Sequence, residues 1–208
     1  MLLSRERALT IFKKVQHIRE HYRANVLAGD ANVVSVADLQ WVVQDMYNLK
    51  IQMTQVPFEG AFIRGLIERR DGEVLIRVQQ NMPDDWKRFT AVKEMCHVVN
   101  DEPEDWSLDG VGTLKDLLRE YAFEADQEAH RATQSEEFAE IAAIELLYPF
   151  ECRVNDRELL KGDKTSLVKI ATYHNIPVAI VGKAVDKHHH ENIAKTIWDD
   201  LNQLAKVA

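Results

Sequence analysis

The chain has 208 residues, of which 46% are hydrophobic and 29% charged, and a formal net charge of −8. That balance fits a globular protein with one sizeable core, and it disfavours a general nucleic-acid binder, whose affinity comes from neutralising phosphates. Two cysteines, Cys96 and Cys152, make no disulfide framework. The charged opening MLLSRERALTIFKK and the lack of any run near the roughly 20 apolar residues of a spanning helix predict a cytoplasmic protein with no signal peptide, anchor or membrane partner.

Residues 3–27 predict a charged helix with Leu9, Phe12, Val15 and Ile18 at helical spacing. The stretch GDANVV breaks it, and Ser35 reads as the N-cap of a second helix reaching about Leu49. Residues 50–57 alternate as a strand. Two β-rich runs around Asp71-Gly72 then read as a hairpin. Residues 81–85 end the sheet and cap a helix from about Asp85 to Val99, and residues 101–113 read as an acidic loop. A helical pattern runs from Leu114 to Leu147, with a break expected near Ala132–Ser135 and Pro149 ending it. Beyond it, the sequence predicts a short helix at Thr165–His174, a turn at Asn175–Pro177 and a last helix from about Glu191 to Val207. No segment reads as a helix-turn-helix. The order of elements gives an α+β fold, mostly helical, with a small antiparallel sheet. Three parts are expected: an N-terminal helix (1–34), a central domain (35–150) and a C-terminal helical part packed on it (151–208).

The chemistry concentrates in RFTAVKEMCHVVN, residues 88–100. Its core, Lys93-Glu-Met-Cys-His97, is H-E-x-x-H with lysine in the first position. In the intact motif two histidines at i and i+4 hold zinc, and the glutamate between them is the general base. A third ligand comes from elsewhere in the chain, and a carboxylate one turn on can orient a ligand from outside the metal's coordination shell. Residues 136–140, Glu-Glu-Phe-Ala-Glu, offer Glu136 as that ligand and Glu140 as that carboxylate.

The hairpin GLIERRDGEVLIRVQQN, then RFTAVKEMCH, then EEFAEIAAIELLYP resembles the ImmA/IrrE family of zincin-like metallopeptidases, and SLVKIATYHNIPVAIVGKAV resembles that family's downstream segment. Arg88, Phe89, Thr90, Glu94, His97, Glu136, Ala139, Leu146, Leu147 and Pro149 match its pattern R-F-T-x-x-H-E-x-x-H…E-x-x-A-[ND]-x-F-A-x-x-L-L-M-P. The resemblance spans about residues 35–185. It implies a zinc site at positions 93, 97 and 136 with Glu94 as catalytic base, and Glu140 behind it. It also implies a protein partner or substrate, such as a helix-turn-helix transcriptional repressor.

Three positions depart from that pattern. Lys93 stands where the first zinc ligand belongs, Glu140 replaces Asp or Asn, and Ala142 replaces Phe. A lysine must lose a proton of pKa about 10.4 before it can ligate. The expectation is therefore a zincin frame whose zinc binding and peptidase activity are impaired or lost, with Lys93 supplying the positive charge by pairing with Glu136 or Glu94, and a function exercised by binding a protein partner. The alternative is an active zinc endopeptidase using His97, Glu136 and a third ligand, for which His130 is a candidate. A third reading is an interaction protein without catalytic use of these residues. His17-Ile-Arg-Glu20-His21 spells the inverted order H-x-x-E-H but reads as a solvated helix face. His188-His-His190 reads as an exposed polar loop, and Cys96 as a small buried hydrophobe.

Overall fold

A computed structural model describes residues 4–26, 33–59, 63–70, 72–102, 105 and 131–207. It contains eight α-helices, a three-stranded sheet and one π-helical segment among those residues. The fold is α+β and mostly helical, as the order of elements predicts.

Helix α1 (Arg5–Asn25) starts where the Ser4 side chain accepts from the Arg7 N–H, and it buries Ala8, Ile11, Phe12, Val15 and Ile18 along one stripe. Ser35 caps α2 (Val36–Tyr47) in the same way. Asn48 ends α2 in the left-handed conformation at φ 49°, which its short polar side chain tolerates.

Strands β1 (Lys50–Val56), β2 (Gly65–Arg70) and β3 (Glu73–Gln79) are ordered β1-β3-β2. The hairpin joins β2 and β3 through Gly72 at φ +75°, a conformation that glycine adopts freely. Asp71 lies outside the described residues. The expected all-antiparallel sheet is in fact mixed, because β1 runs parallel to β3. Strand β3 takes the centre because Val74, Ile76 and Val78 give it the cleanest buried alternation, while β1 and β2 form the edges.

Helix α3 (Asp84–Asn100) carries the motif. Pro83, within the stretch 81–85, stands at its N-cap, and no side-chain hydrogen bond forms there. Ten residues of α3 are buried, from Phe89 to Asn100, because the helix runs between the sheet and α4 (Arg131–Leu147). No break is found at Ala132–Ser135, which are helical within α4 among the described residues. From Phe138 to Leu147 that helix is almost wholly core, and Tyr148 just after it is buried too. Residues 114–130 lie outside the described residues.

The C-terminal part holds more helix than the sequence suggests. Helix α5 (Phe150–Lys161) follows Pro149 directly, so this proline starts a helix as well as ending one. Helix α6 (Leu167–His174) is capped by Ser166 and ends at left-handed Asn175. After Pro177 comes α7 (Val178–Val185), a helix that the sequence reading leaves out. Helices α6 and α7 thus form two short helices about a tight turn.

His188–Lys195 is π-helical and continues into α8 (Thr196–Val207). Here the expectation of an exposed polar loop fails. His189 and His190 are buried, and only His188 is exposed. Helix α8 packs on α1, where the Trp198 ring meets Phe12 edge-on at 5.1 Å and Arg5 pairs with Asp200 at 2.7 Å. Burying an aromatic side chain of this size stabilises by about 1.5–3 kcal/mol.

Candidate functional site: a lysine–carboxylate–imidazole cluster

Helix α3 places Lys93 and His97 one turn apart on one face, and α4 brings Glu136 against both. The Lys93 Nζ pairs with Glu136 Oε2 and lies 3.6 Å from Glu94 Oε1. The other Glu136 oxygen, Oε1, lies 3.2 Å from His97 Nε2, an ion pair rather than a well-aligned hydrogen bond. Four residues from two distant stretches of sequence therefore meet at one place.

Three further residues complete the cluster. His97 Nδ1 lies 3.1 Å from Asp101 Oδ2 and 3.1 Å from Ser135 Oγ, and the Ser135 hydroxyl donates to Asp101 Oδ1 at 2.6 Å. Arg69 of β2 donates to the His97 carbonyl at 2.8 Å and reaches Asp101 at 3.2 Å. Charge alternates along the chain of contacts: Lys93, Glu136, His97, Asp101, Arg69. Asp101 stands four residues after His97, a spacing the sequence displays. Ser135 is the neighbour of Glu136. Arg69 carried no sequence signal, because it is one of two adjacent arginines beside Glu68.

Glycine 65, at the start of edge strand β2, adds a steric constraint. A Cβ on it would run into the Glu94 carboxylate and its Cγ. The strand backbone thus lies directly on the glutamate that the motif assigns as base, and only glycine permits that approach.

The electrostatics follow from these contacts. Burial works against charge on His97, but Asp101 and Glu136 outweigh it and push the imidazole up to about 9. Burial likewise opposes the Lys93 charge, yet Glu94 and Glu136 hold its ammonium protonated well above the usual lysine range. Burial alone would raise Glu136, but His97 and Lys93 keep it ionised far below the ordinary glutamate value. Asp101 is held low despite burial by His97, Ser135 and Arg69. Burial raises the Cys96 thiol, which keeps it an inert core residue.

As arranged, these residues do not fit a zinc ion. Zinc needs unprotonated nitrogens and three protein ligands with an open fourth position. Here the side chain at position 93 is an ammonium held by Glu136 and Glu94, and Glu136 is already engaged by it. Among the described residues no three His, Cys, Asp or Glu side chains converge as a ligand set. His130 lies outside the described residues. Glu140 pairs with Lys183 of α7 rather than with a residue at the motif, although its charge still favours the Lys93 ammonium. The H-x-x-E-H of α1 does not assemble either: His17 and Glu20 are exposed and His21 pairs with Asp45 at 3.0 Å.

No protein-family model matches this chain, and no curated protein matches it. No helix among the described residues is long and apolar enough to cross a membrane.

Proposed function

We propose that the protein is a zincin-like ImmA/IrrE-type frame in which the Lys93 ammonium takes the place of the metal's charge, and that it acts by binding a protein partner in the cytoplasm rather than by hydrolysis. The observation that carries this is Lys93 bridging Glu136 and Glu94 from the position of the missing ligand. A catalytic zinc lowers the pKa of its bound water to about 7 so that a neighbouring carboxylate can take the proton. An ammonium can neutralise the same carboxylates and dock α3 on α4, but it has no open coordination site for water. Without that site Glu94 has no activated nucleophile to generate.

The partner is read as a polypeptide, with a transcriptional repressor as the kind of target. Strand β2 is an edge of the sheet whose backbone at Gly65 lies against Glu94, and an extended segment that adds as a further strand would run along that edge. The same edge favours one second reading, an active endopeptidase that completes a zinc site with a further ligand. Chelation separates the two. Protein purified without chelator is melted with and without excess EDTA, and its bound zinc is measured. An unchanged Tm and negligible zinc support the ammonium reading. Stoichiometric zinc whose removal lowers the Tm sinks it.

A further inference from the structure

A second buried polar centre lies in the C-terminal part, remote in sequence from the motif and independent of its interpretation. His189 and His190 are 2% and 5% exposed. Neither ring nitrogen of His189 has a hydrogen-bond partner among the described residues, nor does Nδ1 of His190. The His190 ring stacks on Phe150 at 4.8 Å and 22°. The His190 ring is thus used as a flat apolar surface, and His189 is buried with neither nitrogen partnered among the described residues. They sit on the π-helical segment, a backbone form that is rare and that frequently marks a functional position.

The groups facing them are mostly cations. Arg153, Arg157 and Lys161 approach from α5 and Lys183 from α7, while His188 and Glu191 belong to the segment itself. Each cation already has an anion: Arg153 has Glu145, Arg157 has Glu191, Lys161 has Glu158 and Lys183 has Glu140. On α8, Asp199 is engaged by Lys195. A proton added to His189 would be a buried positive charge among positive charges, with no carboxylate left to receive it.

We propose that His189 and His190 form an acid-sensitive latch: neutral, they seal the π-helical segment against α5 and α7, and protonated, they release it together with α8. Burial first, then Arg153 and Lys183, hold the His189 imidazole down to about 3, and burial with Arg157 and Arg153 holds His190 down to about 4. The sign follows from linkage. The closed form binds fewer protons than the released form, whose histidines titrate near 6.5, so acid favours release. Release would uncover the apolar seam of Phe12, Ile197 and Leu201 and withdraw Trp198, whose Nε1 donates to Glu145 at 3.1 Å. The latch converts a fall in pH into exposure of an apolar face on α1.

Amide hydrogen exchange, corrected for intrinsic rates, tests this on the full chain between pH 7.5 and 5. Protection across residues 188–207 is expected to fall about 30-fold per histidine by pH 5, while α3 and α4 keep theirs. His189→Phe and His190→Phe should each remove one histidine's share. Protection retained at pH 5, lost equally in α3 and α4, or lost to the full wild-type extent in both variants overturns the latch. Where a variant does not fold, the wild-type imidazole resonances decide. A His189 that charges near pH 6.5 with α8 still protected overturns it, and one that stays neutral until α8 opens supports it.

Discussion

Lys93 and His97 share one carboxylate: Glu136 turns Oε2 to the lysine ammonium and Oε1 to the imidazole 3.2 Å away. One acidic side chain on α4 thus neutralises two cations one turn apart on α3, and the contact between the two helices is as much ionic as apolar. Removing any member leaves the others partly buried with unbalanced charge, and the stability predictions for the site follow from that.

Replacing Lys93 by Met should destabilise the protein by about 1–2 kcal/mol. A fully buried pair broken on one side costs about 3–5 kcal/mol, but the Glu136 side chain is 40% exposed, so solvent screens part of the loss. The double variant K93M/E136Q should recover part of the difference, because the orphaned carboxylate is gone. Urea denaturation of the two single variants and the double variant checks both figures. Additivity of the single effects would mean that the pair is not coupled.

The His97 imidazole, pushed up to about 9, should remain protonated at pH 7.5. Its folded pKa lies above the unfolded value of about 6.5, so the stability it contributes is fully present below pH 6.5 and is lost as pH rises through about 9. Imidazole carbon and nitrogen shifts measured from pH 6 to 10 report it directly. A His97 that is neutral at pH 7 contradicts the cluster. The direction is opposite to that of His189, so the motif site and the C-terminal segment should weaken at opposite ends of the pH scale.

Gly65→Ala should cost about 1–3 kcal/mol, the range for forcing extra atoms into a packed contact. Glu94 is 5% exposed and has little room to swing away, so the new Cβ must displace either the carboxylate or the strand. Gly65→Val should cost more. Chemical denaturation gives the magnitude, and a strand register unchanged by NMR with no loss of stability would show that the approach is looser than described.

Arg153 and Glu145 are both fully buried and paired, with Trp198 holding the second Glu145 oxygen. Arg153→Met should cost about 3–5 kcal/mol, because it leaves the Glu145 carboxyl group in the core without its cation. E145Q/R153M should be markedly less damaging. Equal losses in the single and double variants would show that packing, not charge, sets the cost.

Much of the frame was legible from local chemistry. Ser35 as a cap, the turn at Gly72 and the apolar stripe of α1 are each decided by a few neighbouring residues. The meeting of Lys93, Glu94, His97 and Glu136 was legible only through the spacing of two motifs, since nothing local says that α4 returns to α3. The partners of His97 were missed for distinct reasons. Asp101 looked like part of an acidic loop, Ser135 stood where a helix break was expected, and Arg69 is one of two adjacent arginines. The parallel pairing of β1 depends on which strand takes the centre, a competition that no single strand's pattern reveals. His189 and His190 were misread because a polar triplet suggests solvent, whereas both are buried and the His190 ring stacks on Phe150.

The central claim is that a lysine ammonium fills the place of a metal in an otherwise assembled site. Zinc stoichiometry, measured side by side on wild type and Lys93→His by elemental mass spectrometry and calorimetric titration, tests it most directly. Wild type should bind negligible zinc, and the variant, with imidazoles at 93 and 97 beside Glu136, should bind one equivalent. Stoichiometric zinc in the wild type, or none in a folded Lys93→His protein, would contradict it.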